Sequence, residues 1–209
     1  MNIILFGPQG SGKGTQARLL CEKFGFFYFE SGAYLRRLGE EHPEIKAIMD
    51  AGKLVPDEEF TSYLTAYLDE QNLYDEILFD GFPRTLEQFN FLKNWLDDKK
   101  VSIDLGIVIQ ISEEETIKRL SSRRMDPETG KIYNLITDKP PADVDVDKLV
   151  QRDDDHPDAI MKRLGWYKDR VIPLIEHLKS VTKVIEIDGE RSVDEIQKDI
   201  VDVIESLKN

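Results

Sequence analysis

The sequence predicts an α/β fold of three layers around a five-stranded parallel sheet. Three observations lead there. Five short apolar runs alternate with stretches of helical periodicity. A glycine-rich loop joins the first run to the first helix. Two insertions interrupt the alternation, with no internal repeat and no flexible linker between them.

In chain order, Ile3-Ile4-Leu5-Phe6 is the first strand, and Gly7-Pro8-Gln9-Gly10-Ser11-Gly12-Lys13-Gly14-Thr15 follows it. Strand, glycine loop and helix are the context of a phosphate-binding loop. Glycines let the backbone turn tightly with its N–H groups inward. The helix start adds unpaired N–H groups and a positive dipole end, and Lys13 adds a mobile charge. Four glycines and a lysine in nine residues disfavour a turn without a ligand. The fold is therefore read as a P-loop fold. The hydroxyl that usually follows the lysine comes one residue later, at Thr15. A metal would then be held mostly by phosphates and water, which points away from GTPases and most ATPase motors.

Residues 13–24 form the first helix, with Ala17, Leu20, Cys21 and Phe24 on one face, and Gly25 ends it. Cys21 reads as core packing. Phe26 to Phe29 is the second strand. Ser31 caps a helix to about Glu41 that carries Arg36 and Arg37. Pro43 opens a short helix with Ile45, Ile48 and Met49 inward, stopped by Gly52. Asp57 caps the next helix, which buries Phe60, Leu64, Tyr67 and Leu68. Ile77 to Phe79 is the third strand, and Asp80-Gly81-Phe82-Pro83-Arg84-Thr85 leaves it for a helix with Leu86, Phe89, Leu92 and Leu96 inward. Leu105 to Ile111 is the fourth strand, apolar almost throughout as a central parallel strand should be. Ser112 and Glu115 form a capping box for a helix carrying Lys118, Arg119, Arg123 and Arg124.

From Met125 to Asp155 the chain turns polar, with one strand-like piece at 131–136. Arginines flank this insertion, which favours a functional lid over a disordered acidic segment. Ala159 to Ser180 is a long helix bent at Pro173, and Lys183 to Ile187 is the fifth strand. Ser192 and Glu195 cap the last helix, with Ile196, Ile200, Val203 and Leu207 inward.

The 209 residues are 40% hydrophobic and 33% charged, enough for one large folded unit. No apolar run approaches membrane-spanning length. Met1-Asn2-Ile3-Ile4 enters a strand without a basic region, so no signal peptide is expected. The single cysteine excludes an internal disulfide and a multi-thiolate metal site, and a cytoplasmic location is expected. A net charge of −13 disfavours duplex nucleic acid and anionic membranes as partners.

In open parallel sheets ligands sit beyond the carboxyl ends of the strands. The glycine loop, Ser31, Asp80 and the Gly189 turn all fall there. Asp80 is placed to hold the water shell of Mg²⁺, with a turn-capping role as the alternative. Arg36, Arg84, Arg119, Arg123, Arg152 and Arg163 lie beside the rim loops or the lid ends. Phosphoryl transfer needs such a set, because its catalysis is positioning plus charge stabilisation. Two mobile insertions would keep water out.

These motifs together, Gly7 to Gln16, Ser31 to Arg36, Asp50 to Val55, and Asp80 to Thr85 with Gln88, resemble the adenylate kinase family over nearly the whole chain. The resemblance implies a core of residues 1–29, 56–121 and 156–209, a nucleoside-monophosphate-binding domain at 30–55 and a lid at 122–155. It implies ATP, AMP and ADP as substrates, Mg²⁺ with ATP, and a monomer. Gly10, Ser11, Gly12, Lys13, Gly14 and Thr15 would hold the ATP phosphates. Arg119 and Arg123 would reach ATP from the lid base, with Ile132 and Tyr133 against the nucleotide and Arg191 near its adenine. Ser31, Arg36, Lys53, Leu54, Val55, Gly81, Phe82, Pro83, Arg84 and Gln88 would hold AMP, Gln88 reading its base. Arg152 and Arg163 would bridge to the transferred phosphate. The catalytic set is thus Lys13, Asp80, Arg84, Arg119, Arg123, Arg152 and Arg163.

Three departures stand out. Ala33 replaces the family's usual aspartate, so weaker metal organisation or a slower rate is expected. The monophosphate domain is a few residues short. The lid has no cysteines, so no zinc is expected, and Asp126, Thr129, Tyr133 and later aspartates would form a hydrogen-bonded network instead. Two other functions compete with reversible ATP–AMP phosphotransfer. One is a kinase for UMP or CMP; the other is a non-catalytic nucleotide-binding regulatory module, supported by Ala33 alone.

Overall fold

The computed structural model describes residues 1–50, 55–136, 139–152 and 155–208. Its main sheet joins β1 (Asn2–Phe6), β2 (Phe27–Glu30), β3 (Ile77–Asp80), β4 (Ile103–Gln110) and β7 (Lys183–Asp188) in the order β2-β3-β1-β4-β7. Every pairing is parallel. Side chains alternate across each strand, and both faces are covered. Ile4, Phe6, Ile77 and Phe79 pack with α4 (Asp57–Glu70), α5 (Leu86–Asp98) and α8 (Ile172–Lys179) on one face. Ile3, Leu5 and Leu78 pack with α1 (Lys13–Phe24) and α9 (Val193–Lys208) on the other. Burial on both faces is why these strands read as continuous apolar runs.

The first insertion carries α2 (Ser31–Glu41) and α3 (Pro43–Asp50). Ser31 is the first residue of α2, not its cap, and its hydroxyl donates to the Gly81 carbonyl at 2.8 Å. Asp57 likewise begins α4 behind Pro56 and is spent on a different helix, as described below.

The second insertion departs most from expectation. The helix α6 (Glu113–Ser121) stops before Arg123. Arg123 and Arg124 lie instead on β5 (Arg123–Met125), paired antiparallel with β6 (Ile132–Asn134). Turn chemistry explains the hairpin. Asp126 accepts from the Glu128 and Thr129 N–H groups and from the Thr129 hydroxyl. Gly130 supplies the positive φ the turn requires. This is the core of the network expected in the lid. Tyr133 is buried outside it, with the Lys131 ammonium 5.1 Å from its ring centre.

The long helix after the second insertion changes its hydrogen-bond pattern just before Pro173. α7 (Pro157–Trp166) passes through a π turn at Tyr167–Val171 into α8. The missing proline N–H is absorbed there. Leu86 and Leu207, expected inward, are exposed at helix ends. Ser112 caps α6 through the Glu115 N–H, but the reciprocal bond is absent. The Ser112 N–H goes to Glu190, while Glu115 turns to Lys118 and Arg119. Ser192 and Glu195 bond each other in both directions.

Candidate active site

The glycine loop closes on itself through Lys13. Its ammonium donates to the carbonyls of Gly7 at 2.8 Å and Pro8 at 3.0 Å. Gly10 and Gly12 have positive φ, and a Cβ on Gly7 would lie 2.4 Å from the Ile109 carbonyl. Only glycine fits these turns. No side chain caps the start of α1, and the buried Ser11 hydroxyl has no partner among the described residues. A helix N-terminus and an orphan hydroxyl on one loop suit an anion.

Asp80 ends β3 beside this loop and is buried. The Tyr28 hydroxyl donates to its Oδ2 at 3.0 Å, and a Cβ on Gly14 would sit 4.0 Å from that oxygen. Burial pulls the Lys13 pKa down to about 8. Asp80 opposes that shift, while Arg84, Arg163 and Arg123 add to it. Five of the expected catalytic residues therefore share one electrostatic neighbourhood.

On the other side of Asp80, Arg84 donates to the Gly81 carbonyl at 2.6 Å and to the Ser31 hydroxyl at 3.0 Å. Gly81 again has positive φ, and a Cβ there would meet Ser31 Oγ at 2.7 Å. Phe82, Pro83 and Val55 are buried around this turn. Arg36 is exposed on α2, 3.6 Å from a Glu30 carboxylate oxygen, and Ala33 is exposed on the same helix. Lys53 and Leu54 lie outside the described residues. Gln88 is buried in a polar ring. Its amide N–H donates to Asp57 at 2.7 Å and its carbonyl accepts from the Arg84 N–H at 2.8 Å. The Thr85 hydroxyl caps α5 and donates to the second Asp57 oxygen at 2.7 Å.

Arg119 ties the loop to the far edge of the sheet. It donates to the carbonyls of Gly10 at 3.2 Å and Gly189 at 3.0 Å, and is held from behind by Glu115. Arg123 forms a two-point pair with fully buried Asp155, at 2.7 and 2.5 Å. Arg163 approaches the same carboxylate at 4.0 Å, and the Arg152 carbonyl accepts from the Asp155 N–H. Of the residues expected against ATP, Ile132 is exposed on the hairpin. Tyr133 is buried on the same strand. The Arg191 guanidinium donates to Asp199 at 2.7 Å and to the Asp188 carbonyl at 3.3 Å.

Sequence reasoning missed the supports: Tyr28 on Asp80, Asp155 on Arg123, and Asp57 on Thr85 and Gln88. Only Asp57 carried a signal, a carboxylate at a helix start, and that signal suggested a cap. Among the described residues no three His, Cys, Asp or Glu side chains gather as a metal cluster.

A family model described as adenylate kinase matches residues 5–183. An adenylate kinase of Petrotoga mobilis is 39% identical over 99% of both chains. One from Pyrococcus furiosus is 36% identical, over all of this chain and 98% of its own. One from Staphylococcus aureus is 34% identical, over 99% of this chain and all of its own.

Proposed function

The chain belongs to the adenylate kinase family, and from that premise we propose how its residues perform the reaction. The enzyme transfers the terminal phosphoryl group of ATP to AMP, reversibly, giving two ADP. The glycine loop from Gly10 to Thr15 receives the ATP phosphates, with Lys13 turning from the Gly7 and Pro8 carbonyls to the β and γ oxygens. Ser31, Arg84 and the Gly81 turn receive the AMP phosphate, with Arg36, Val55, Phe82 and Pro83 around it and Gln88 at the base. Arg123, Arg152 and Arg163 come from the lid end and stabilise the charge on the transferred group.

Mg²⁺ with ATP suits this donor set. Asp80 is a hard carboxylate at the loop, braced by the Tyr28 hydroxyl. When bound, the ion would neutralise phosphate charge, and Asp80 would be the residue that holds its water shell. Zinc has no thiolates to hold it, since Cys21 is the only cysteine. Low cysteine content supports a cytoplasmic location. No helix among the described residues is long and apolar enough to cross a membrane.

The observation that carries this reading is the glycine loop with Lys13, the orphan Ser11 hydroxyl and the uncapped start of α1, next to Asp80, while Arg84 and Ser31 meet on the Gly81 turn. Ala33 alone favours a non-catalytic module, and it leaves this whole set in place. The test is ADP formation by the purified protein. It should require ATP, AMP and Mg²⁺ together, and turnover should be fastest with AMP among AMP, CMP, UMP and GMP. ADP formation indifferent to AMP would sink the reading.

A further inference from the structure

The polar ring around Gln88 does more than fill a buried site. A glutamine amide is nearly symmetric in shape and can present its oxygen or its nitrogen to a partner. Here both partners forbid a choice. The Asp57 carboxylate only accepts, so the atom 2.7 Å from its Oδ1 must be the amide nitrogen. The Arg84 backbone N–H only donates, so the atom 2.8 Å away must be the amide oxygen. Thr85 completes the ring. Its hydroxyl accepts from the Gln88 backbone N–H at 3.1 Å and gives its proton to Asp57 Oδ2 at 2.7 Å. Both Asp57 oxygens are thereby engaged.

We propose that Asp57 is a specificity-determining positioning residue: with the Arg84 N–H it fixes one orientation of the Gln88 amide, which matches a 6-amino base and opposes a 6-oxo base. The inference rests on the reading of Gln88 as the residue that meets the acceptor base. After the ring is satisfied, the amide keeps one N–H and one oxygen lone pair. Adenine offers the complement, an amino donor at N6 beside an acceptor at N1. Hypoxanthine offers the reverse, an acceptor at O6 beside a donor at N1, and uracil does the same at O4 and N3. Cytosine repeats the adenine pattern, so ring size must exclude it. IMP is the sharpest probe, because it keeps the purine shape and reverses the polarity. Turning the amide to suit IMP would set its nitrogen against the Arg84 N–H and its oxygen against a carboxylate.

Asp57→Asn breaks this logic with little change in shape. If the new carbonyl keeps the Thr85 hydroxyl, the new amino group faces the Gln88 nitrogen, donor against donor. Turning Gln88 relieves that clash and creates another at Arg84. In the other Asn orientation the carbonyl keeps the Gln88 nitrogen, but the amino group must donate to the Thr85 hydroxyl, which already accepts from the Gln88 N–H and loses the acceptor for its own proton, so no orientation keeps the whole ring.

The experiment measures kcat/KM for AMP and IMP at fixed ATP in the wild type, Asp57→Asn and Gln88→Leu. A site built to hydrogen-bond its substrate should prefer AMP over IMP by roughly a thousandfold or more. Asp57→Asn should narrow that ratio by about tenfold or more and raise KM for AMP, with KM for ATP unchanged. Gln88→Leu should remove most of the preference. If Asp57→Asn keeps the wild-type ratio while Gln88→Leu loses it, the lock is wrong and the base reading stands. If both variants keep the ratio, the base reading fails and the proposal falls with it. The unliganded wild type gives a second readout by NMR. The Gln88 side-chain amide should show one proton strongly protected from solvent exchange, and that protection should drop in Asp57→Asn. A wild-type Gln88 amide exchanging as fast as exposed glutamines would overturn the proposal even if the variant did not fold.

Discussion

Lys13 works against the fold in the form its function needs. Its pKa in the folded chain is about 8, against an ordinary 10.5. The unfolded chain therefore binds this proton more tightly, and folding is opposed. The penalty is full below the folded value, shrinks as pH rises from about 8 to 10.5, and is gone above that range. Lys13→Met should accordingly leave the protein at least as stable as the wild type in urea titrations near pH 7, the advantage fading by about pH 10. The same variant should turn over ATP and AMP slower by roughly a hundredfold or more. A marked loss of stability near neutral pH would contradict this account. ATP phosphates supply the countercharge that Lys13 lacks, so ATP binding near its pKa should take up a fraction of a proton. Calorimetry in buffers of different ionisation enthalpy would read that uptake. On the acceptor side, Arg84→Ala should weaken AMP binding by about 1.5–3 kcal/mol, the worth of a charged hydrogen bond. Unchanged AMP affinity would refute the assignment. Lys13, Asp80 and Arg84 were legible in the sequence because each lies in a short contiguous motif after a strand. Tyr28 and Asp57 were not, because their partners are 52 and 28 or 31 residues away and only folding reveals them.

The β5–β6 hairpin is seated on a buried carboxylate. Asp155 is fully enclosed, paired at two points with Arg123 of β5 and approached by Arg163 of α7. Removing one partner of a buried ion pair strands the other charge, at a cost of about 3–5 kcal/mol. Asp155→Ala should therefore loosen the hairpin where it joins the core. Amide hydrogen exchange would show faster exchange at Arg123–Asn134 and the start of α7, with the sheet unchanged. Equal protection in the variant would mean that the hairpin is held by something else. Such a clasp could not be read from sequence. The run Ser121-Ser122-Arg123-Arg124 continues helical spacing, and the strand there depends on pairing with residues beyond a turn. The five sheet strands were legible because burial on both faces leaves long apolar runs. Leu86 misled because a leucine in phase with Phe89 can still fall at an exposed helix end. An irregularity near Pro173 was legible because ring sterics act locally, although its π form was not.

At the scale of the whole molecule, surface area is informative. A compact monomer of 24.1 kDa exposes about 10,000 Å² by the usual scaling with mass. This chain exposes 11287 Å². An excess of this sign is what a site with its two insertions not closed over the sheet would give. The charge distribution gives a reason for that posture. Arg84, Arg123 and Arg163 converge on the site of Lys13, and each lowers the tendency of Lys13 to hold its proton. Without phosphates these cations repel, so closing the insertions over an empty site would concentrate like charge in a shrinking dielectric. With ATP and AMP both bound, the phosphates reverse the sign of that interaction, and closure excludes water from the transferred group. The overall charge of −13 cannot drive this, because it is spread over the surface and screened within a Debye length. Closure should therefore need both nucleotides, or one analogue spanning both sites. Solution X-ray scattering should give an unliganded radius of gyration above the roughly 17 Å of a compact chain this long. A bisubstrate analogue should reduce it by about 1 Å or more, and AMP alone should leave it nearly unchanged. Asp155→Ala would separate the hinge from the charges. If the clasp only seats the hairpin, the variant should still contract with the analogue, but from a larger unliganded radius. A radius that ignored the analogue in the wild type would mean that the site closes by side-chain movement alone.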